Sequence, residues 1–218
     1  MKRSDRWLSP NLRDMLAVYL VADPEQTERD LSDDVEAALE GGVTCVQLRA
    51  KNLPDQEAWH LAMRLREQCR RHRAVFLVND RLDIAIAAQT DGVHLGATDL
   101  PPWICRWITG EDFVIGYSPA SDYGTHLGRG ADYLGVGPVY GTHSKPDAGE
   151  ALGIEGFVRR IKYAEEPIVG IGGITPGNAA PVIQAGAAGV AVVSAILRAD
   201  DPASAAAALA QTVMTARG

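Results

Sequence analysis

The tail of one short apolar run carries the first candidate chemistry in this chain. In TCVQLRAK, residues 44–51, the alternation of an extended strand puts Gln47, Arg49 and Lys51 on one face and Val46 with Leu48 on the other. Two cations at the end of a strand make an anion site if the tail opens on a cleft, and an ordinary pair of rim charges if it does not. Two other runs end in oxygen-bearing side chains. AVFLVND closes on Asn79 and Asp80, and DGVHLG is followed by Asp99. Carboxylates beside cations at one mouth suit Mg2+, which takes hard oxygen ligands, keeps several waters and shares substrate phosphates. Each carboxylate also has a plainer use as a helix cap, Asp80 for RLDIAIAAQ and Asp99 for a helix opening at Pro101. Asp83 lies one turn inside the first of those helices, pairs more naturally with Arg81, and is left out of the metal set.

A second group points to phosphate held by backbone. Gly172 and Gly173 follow one apolar run and Val193 with Ser194 lies in the next. Glycine allows an anion to approach main-chain N–H groups closely, and the two sites together make a stronger signal than either alone. GPVYGTHSKPDAG is a long polar loop in which Thr142, Ser144 and Lys145 are closely spaced, the form that binding loops take. His94 sits between Gly92 and Gly96 on a strand, where a hydrogen-bonded structural histidine is commoner than a catalytic one, so it receives no role. His143 lacks an evident partner, and His60, His72 and His126 fall in expected helices. No Ser-His-Asp or Cys-His arrangement can be defended.

The elements that must position these groups form a repeat. From Ala17 onward, AVYLVAD, TCVQLRA, AVFLVND, DGVHLG, FVIGYS, DYLGVGPVY, PIVGIGGI and GVAVVSAIL each precede a segment able to form a helix. Such alternation predicts parallel strands joined by crossover helices, an α/β class. Leu31, Val35, Ala38 and Leu39 share one helical face that Gly41 and Gly42 terminate. Asp200 or Asp201, with Pro202 behind it, can start the alanine-rich last helix. Eight such units in about 200 residues predict a single small (β/α)8 TIM barrel over residues 17–218, preceded by an N-terminal arm or short helix over 1–16. An open doubly wound sheet is disfavoured because the first strand ends Val-Ala-Asp-Pro rather than in a GxGxxG turn.

The composition fits one globular domain: 218 residues, 46% hydrophobic and 22% charged. A net charge of -7 disfavours nucleic acid as a partner. Three cysteines without CxxC spacing suggest neither a disulfide framework nor a zinc site, and a reducing cytoplasm is expected. No stretch reaches the roughly 18 continuous apolar residues of a membrane helix. Trp103 and Trp107, four apart in an expected helix, fit either an oligomer interface or core packing equally well.

Taken in order, QLRAK at 47–51, NDRLDIA at 79–85, DGVHLGATD at 91–99, IGYS at 115–118, GADYLGVGPVYGTHSKPDA at 130–148 and GIGGITPGNAAPVIQAGAAGVAVVSAI at 170–196 resemble the thiamine phosphate synthase family. The resemblance implies that Gln47, Arg49, Lys51, Asn79, Ser118 and Lys145 hold an aminopyrimidine pyrophosphate, and that Asp80 and Asp99 hold Mg2+. It implies that Thr142, Ser144, Gly173, Val193 and Ser194 hold a thiazole phosphate. Arg49, Lys51 and Lys145 would then neutralise the departing pyrophosphate, with no protein nucleophile required. The chain departs from the family pattern at Ala50, where an acid is common, at Ala97, where glutamine is common, and at Ser144, where threonine is common. Two rivals are a thiazole tautomerase, disfavoured by Ala120 where those proteins commonly carry a histidine, and a non-catalytic phosphate-binding barrel, disfavoured by retention of both Asp80 and Asp99.

Overall fold

In the computed structural model, which describes residues 12–120, 128–142, 144 and 149–218, every strand is parallel to its neighbours and the sheet closes on itself. The strands are β1 (Val18–Ala22), β2 (Cys45–Leu48), β3 (Val75–Asn79), β4 (Gly92–Gly96), β5 (Val114–Ser118), β6 (Tyr133–Val136), β7 (Ile168–Ile171) and β8 (Gly189–Val192). They follow one another in sequence order around the barrel, and Val18 of β1 meets Val190 of β8 to close it. The eight-unit barrel expected from the sequence is therefore the fold.

Each strand is buried on both faces, as a parallel sheet covered by helices requires. Inward-facing residues, among them Tyr19, Val21, Cys45, Val75, Leu77, Val114, Tyr133, Val169 and Ala191, form one cluster inside the barrel. Outward-facing residues, Val46 and Leu48 among them, form a larger cluster beneath the helices. Leu16 is fully buried in the inner cluster, and Leu12 and Met15 of the short helix α1 (Leu12–Met15) pack against it. This short helix thus seals the lower end of the barrel.

The surrounding helices are α2 (Leu31–Glu40), α3 (Asp55–His72), α4 (Leu82–Ala87), α5 (Pro102–Thr109), α6 (Gly153–Ile161), α7 (Ala179–Gln184), α8 (Ser194–Leu197) and α9 (Pro202–Arg217). Asp30 caps α2 by accepting from the Ser32 N–H at 2.7 Å. Of the two aspartates before α9, Asp201 is the cap, accepting from Ala203 and Ser204, with Pro202 in the first turn. One departure from a strict repeat stands out among the described residues: a four-residue helix, α8, is added between β8 and α9.

Helix α5 turns Pro102 and Cys105 inward and leaves Trp103, Trp107 and Ile108 on the surface. Trp107 is 82% exposed, so core packing does not account for the tryptophan spacing. No helix among the described residues is long and apolar enough to cross a membrane.

Candidate active site at the barrel mouth

A cavity of about 930 Å³ opens at the C-terminal ends of the strands, the side on which barrels of this kind carry their sites. Its lining includes Gln47, Arg49, Lys51, Asn79, Asp80, Asp99, Ser118, Thr142, Ser144, Gly173, Val193 and Ser194. One wall of a single chamber thus collects side chains from β2, β3, β4 and β5, and the facing wall collects the turns after β6, β7 and β8. Lys145 and His143 lie outside the described residues.

On the charged wall, Arg49 continues the inward face of β2 and meets Asp23, at the end of β1, in an ion pair. Asp23 is almost wholly buried and also accepts from the Glu25 N–H at 3.0 Å. A buried carboxylate of this kind fixes the guanidinium it faces, since removing one member strands the other's charge. Lys51 Nζ lies 3.3 Å from Asp80 Oδ2 and remains half exposed.

Asp80 adopts φ +61°, a left-handed conformation uncommon outside glycine but tolerated by aspartate. Its N–H donates to the His94 carbonyl at 2.8 Å, which ties the end of β3 to β4 and holds the carboxylate at the mouth. Neither carboxylate serves as a helix cap. Helices α4 and α5 begin after Arg81 and Pro101 without a side-chain cap, and Asp99 Oδ2 instead accepts from the Gly96 N–H at 2.6 Å. Asp83 pairs with Arg81, at 2.6 Å.

Partial burial raises the Asp99 carboxyl above the usual carboxylate range. A shared hydrogen bond with Asp80 and the repulsion between the two groups add to the rise, against the Gly96 N–H and Lys51, which lower it. Two acids close enough to share a proton are a site at which a divalent cation relieves repulsion. Among the described residues no group of three or more His, Cys, Asp or Glu side chains could hold a metal. A donor set of two carboxylates suits Mg2+ completed by water and phosphate oxygens better than a metal that needs an all-protein cage.

The opposite wall is built largely from backbone, glycine and hydroxyl groups, and Glu150, Arg160 and Arg198 also line the cavity. Gly172 and Gly173 have φ +100° and +63°, and a Cβ on Gly173 would stand 2.4 Å from the Gly141 carbonyl, so only glycine fits there. The Tyr140 N–H donates to the Gly172 carbonyl at 3.0 Å, locking the turn after β7 to the loop after β6. Thr142 Oγ1 accepts from the Ser144 N–H at 3.3 Å, and the Ser144 hydroxyl donates to Ser194 Oγ at 3.3 Å. Ser194 opens α8. The turns after β7 and β8 together with a short extra helix match the place where barrels of this class commonly cradle phosphate.

Several wall residues escaped sequence reasoning. Asp23 was visible only as the end of an apolar run. Tyr19 and Tyr133 lie within the strand runs and received no role, yet both line the cavity. Arg160, on α6, reaches the wall and donates to the Ala120 carbonyl at 2.7 Å, and nothing in its helical spacing marks it as different from Arg159. Of the departures from the family pattern, Ala50 packs against the outer core, away from the cations, whereas Ala97 lines the cavity and brings no polar group.

Comparison with known proteins shows the family to which this fold belongs. A family model described as thiamine monophosphate synthase matches residues 18–196. A thiamine-phosphate synthase from Moorella thermoacetica is 49% identical over 84% of this chain and 89% of its own length. A bifunctional ThiM/ThiE thiamine biosynthesis protein from Symbiobacterium thermophilum is 48% identical over 97% of this chain, which spans only 44% of that longer protein. Among solved structures, the thiamine phosphate pyrophosphorylase from Pyrococcus furiosus superposes with a TM-score of 0.85 at 36% identity, covering 95% of this chain and 100% of that one.

Proposed function

We propose that this chain, which belongs to the thiamine monophosphate synthase family, joins an aminopyrimidine pyrophosphate to a thiazole phosphate, releasing thiamine phosphate and pyrophosphate. The observation that carries this reading is the division of one cavity into a cation-and-carboxylate wall and a glycine-and-hydroxyl wall. Such a chamber can hold two different phosphorylated substrates with their reacting ends in the middle.

The bond between the pyrimidine methylene carbon and the pyrophosphate oxygen breaks first, and its electron pair leaves with the oxygen. The aminopyrimidine ring stabilises the carbocation that remains, and the thiazole nitrogen lone pair then forms the new C–N bond. Arg49 and Lys51 neutralise charge gathering on the leaving group, with Asp23 holding the guanidinium in place. Lys145 is assigned the same task from the sequence. Gln47, Asn79 and Ser118 orient the pyrimidine half. Mg2+, when held by Asp80 and Asp99, would add positive charge at the pyrophosphate. Thr142, Ser144, Gly173, Val193 and Ser194 seat the thiazole phosphate, so the nucleophilic nitrogen is presented rather than left to diffuse. No side chain has to form a covalent intermediate. A cytoplasmic setting suits the three buried free thiols, Cys45, Cys69 and Cys105.

Steady-state kinetics on two variants test the division. Lys51→Ala should raise KM for the pyrimidine pyrophosphate or lower kcat, and leave KM for the thiazole phosphate alone. Ser194→Ala should raise KM for the thiazole phosphate only. A crossed pattern would refute the assignment of the two walls.

A further inference from the structure

Beneath the substrate chamber a chain of hydrogen bonds crosses the barrel from one side to the other. Gln47 Nε2 donates to Tyr19 Oη at 2.6 Å, and Tyr19 Oη lies 2.8 Å from Tyr133 Oη. Tyr133 Oη lies 2.8 Å from His94 Nδ1, and His94 Nε2 lies 2.9 Å from Ser118 Oγ. The links come in turn from β2, β1, β6, β4 and β5, so no single strand could supply them.

Strands β5 and β6 leave space for this chain by carrying glycine. A Cβ on Gly116 would fall 2.2 Å from Tyr133 Cζ and 2.5 Å from His94 Nδ1, and one on Gly135 would fall 2.6 Å from Ser118 Oγ. Any side chain at either position would collide with a member of the chain. Burial pushes both tyrosine hydroxyls well above their ordinary pKa, so each remains a neutral group with one proton to give.

Acceptor strength gives the chain a direction. The Gln47 amide occupies one acceptor position on Tyr19. Passing the Tyr19 proton to Tyr133 uses an oxygen acceptor at 2.8 Å, whereas the opposite direction would send it to the Cys45 thiol, a weak acceptor. Tyr133 then has its proton left for His94 Nδ1, which must accept, and the imidazole carries its proton on Nε2 and donates to Ser118 Oγ. With one lone pair of Ser118 taken in this way, its hydroxyl proton points to the chamber it lines.

We infer that Tyr133 and His94 are positioning residues which set the Ser118 hydroxyl as a hydrogen-bond donor into the chamber, matched to an acceptor nitrogen of an aromatic ring. This rests on the proposed function, because the aminopyrimidine supplies that ring. Reversal of the chain would turn Ser118 toward His94 and remove the donor. Among the groups lining the floor, this one would discriminate a ring nitrogen from a ring C–H of the same shape.

Two measurements test it. Nitrogen-15 NMR of the histidine-labelled wild-type protein should show His94 protonated on Nε2 with Nδ1 accepting, and Tyr133→Phe should blur that preference. An imidazole carrying its proton on Nδ1, or on both nitrogens, would overturn the inference. In kinetics, Tyr133→Phe should lower kcat/KM for the pyrimidine pyrophosphate about tenfold, the size of one neutral hydrogen bond, without changing KM for the thiazole phosphate. In a Ser118→Ala background the same substitution should have no further effect, because the group it positions is gone. Equal losses in the two backgrounds would assign Tyr133 a packing role and defeat the inference. A wild-type protein that makes no thiamine phosphate would overturn the proposed function instead, and the tautomer measurement would still decide the direction of the chain.

Discussion

Asp80 and Asp99 stand close enough to share a hydrogen bond, an arrangement that costs the metal-free protein stability. Because the folded-state carboxyl of Asp99 is raised, its stabilising contribution is present below the ordinary carboxylate pKa and is lost as pH rises through the raised value. Asp99→Asn keeps an acceptor for the Gly96 N–H and removes the repulsion, so at neutral pH it should raise the metal-free melting temperature by a few degrees. The advantage should disappear in acid. The same variant should lower kcat by about 10²-fold or more if the pair holds Mg2+. Mg2+ should raise the melting temperature of the wild type and not of Asp80→Ala, as binding to the folded state alone requires. At subsaturating Mg2+, the acid limb of kcat/KM should lie above the ordinary carboxylate range and move down as the metal saturates. A limb that ignores Mg2+ would separate these carboxylates from metal binding. The sequence made this half of the site legible because an inward position at the end of a β2 or β3 strand is wasted on a charge unless something outside the barrel needs it. Tyr19 and Tyr133 were not legible for the converse reason. Both faces of a covered parallel strand are apolar, so a tyrosine inside the barrel cannot be told from one beneath a helix until the register is known.

At the scale of elements, the turns decide function while the helices decide stability. Gly173→Ala would place a Cβ against the Gly141 carbonyl at a left-handed φ, and the loop after β6 must shift to admit it. That substitution should raise KM for the thiazole phosphate sharply while costing the fold only about 1–3 kcal/mol. Asp201→Ala removes the cap of α9, a helix that contributes no residue to the chamber lining, and should cost about 1 kcal/mol with turnover unchanged. Denaturant titrations beside activity assays separate the two outcomes. Strand order, both faces of β2 and the start of α9 were readable from alternation and capping residues. Helix α8 was not, because four residues are too few to show a helical period, and SAIL reads equally well as the end of strand β8.

The whole molecule depends on closure of the barrel at the end opposite the chamber. Leu16, at the margin of the expected arm, fills the floor of the inner cluster, and Gly189 accommodates it, since a Cβ there would lie 1.8 Å from the Leu16 carbonyl. Leu16→Ala should therefore destabilise the protein by about 2–5 kcal/mol despite lying outside the strands. The open end holds the chemistry, and its two walls come from opposite halves of the chain, so the site exists only once the barrel has closed. The central claim is tested most directly by mixing the purified protein with the aminopyrimidine pyrophosphate, the thiazole phosphate and Mg2+ and following both products. Thiamine phosphate and pyrophosphate should appear in equal amounts, and neither should form when one substrate is omitted. Absence of both products with metal and substrates saturating would contradict the account.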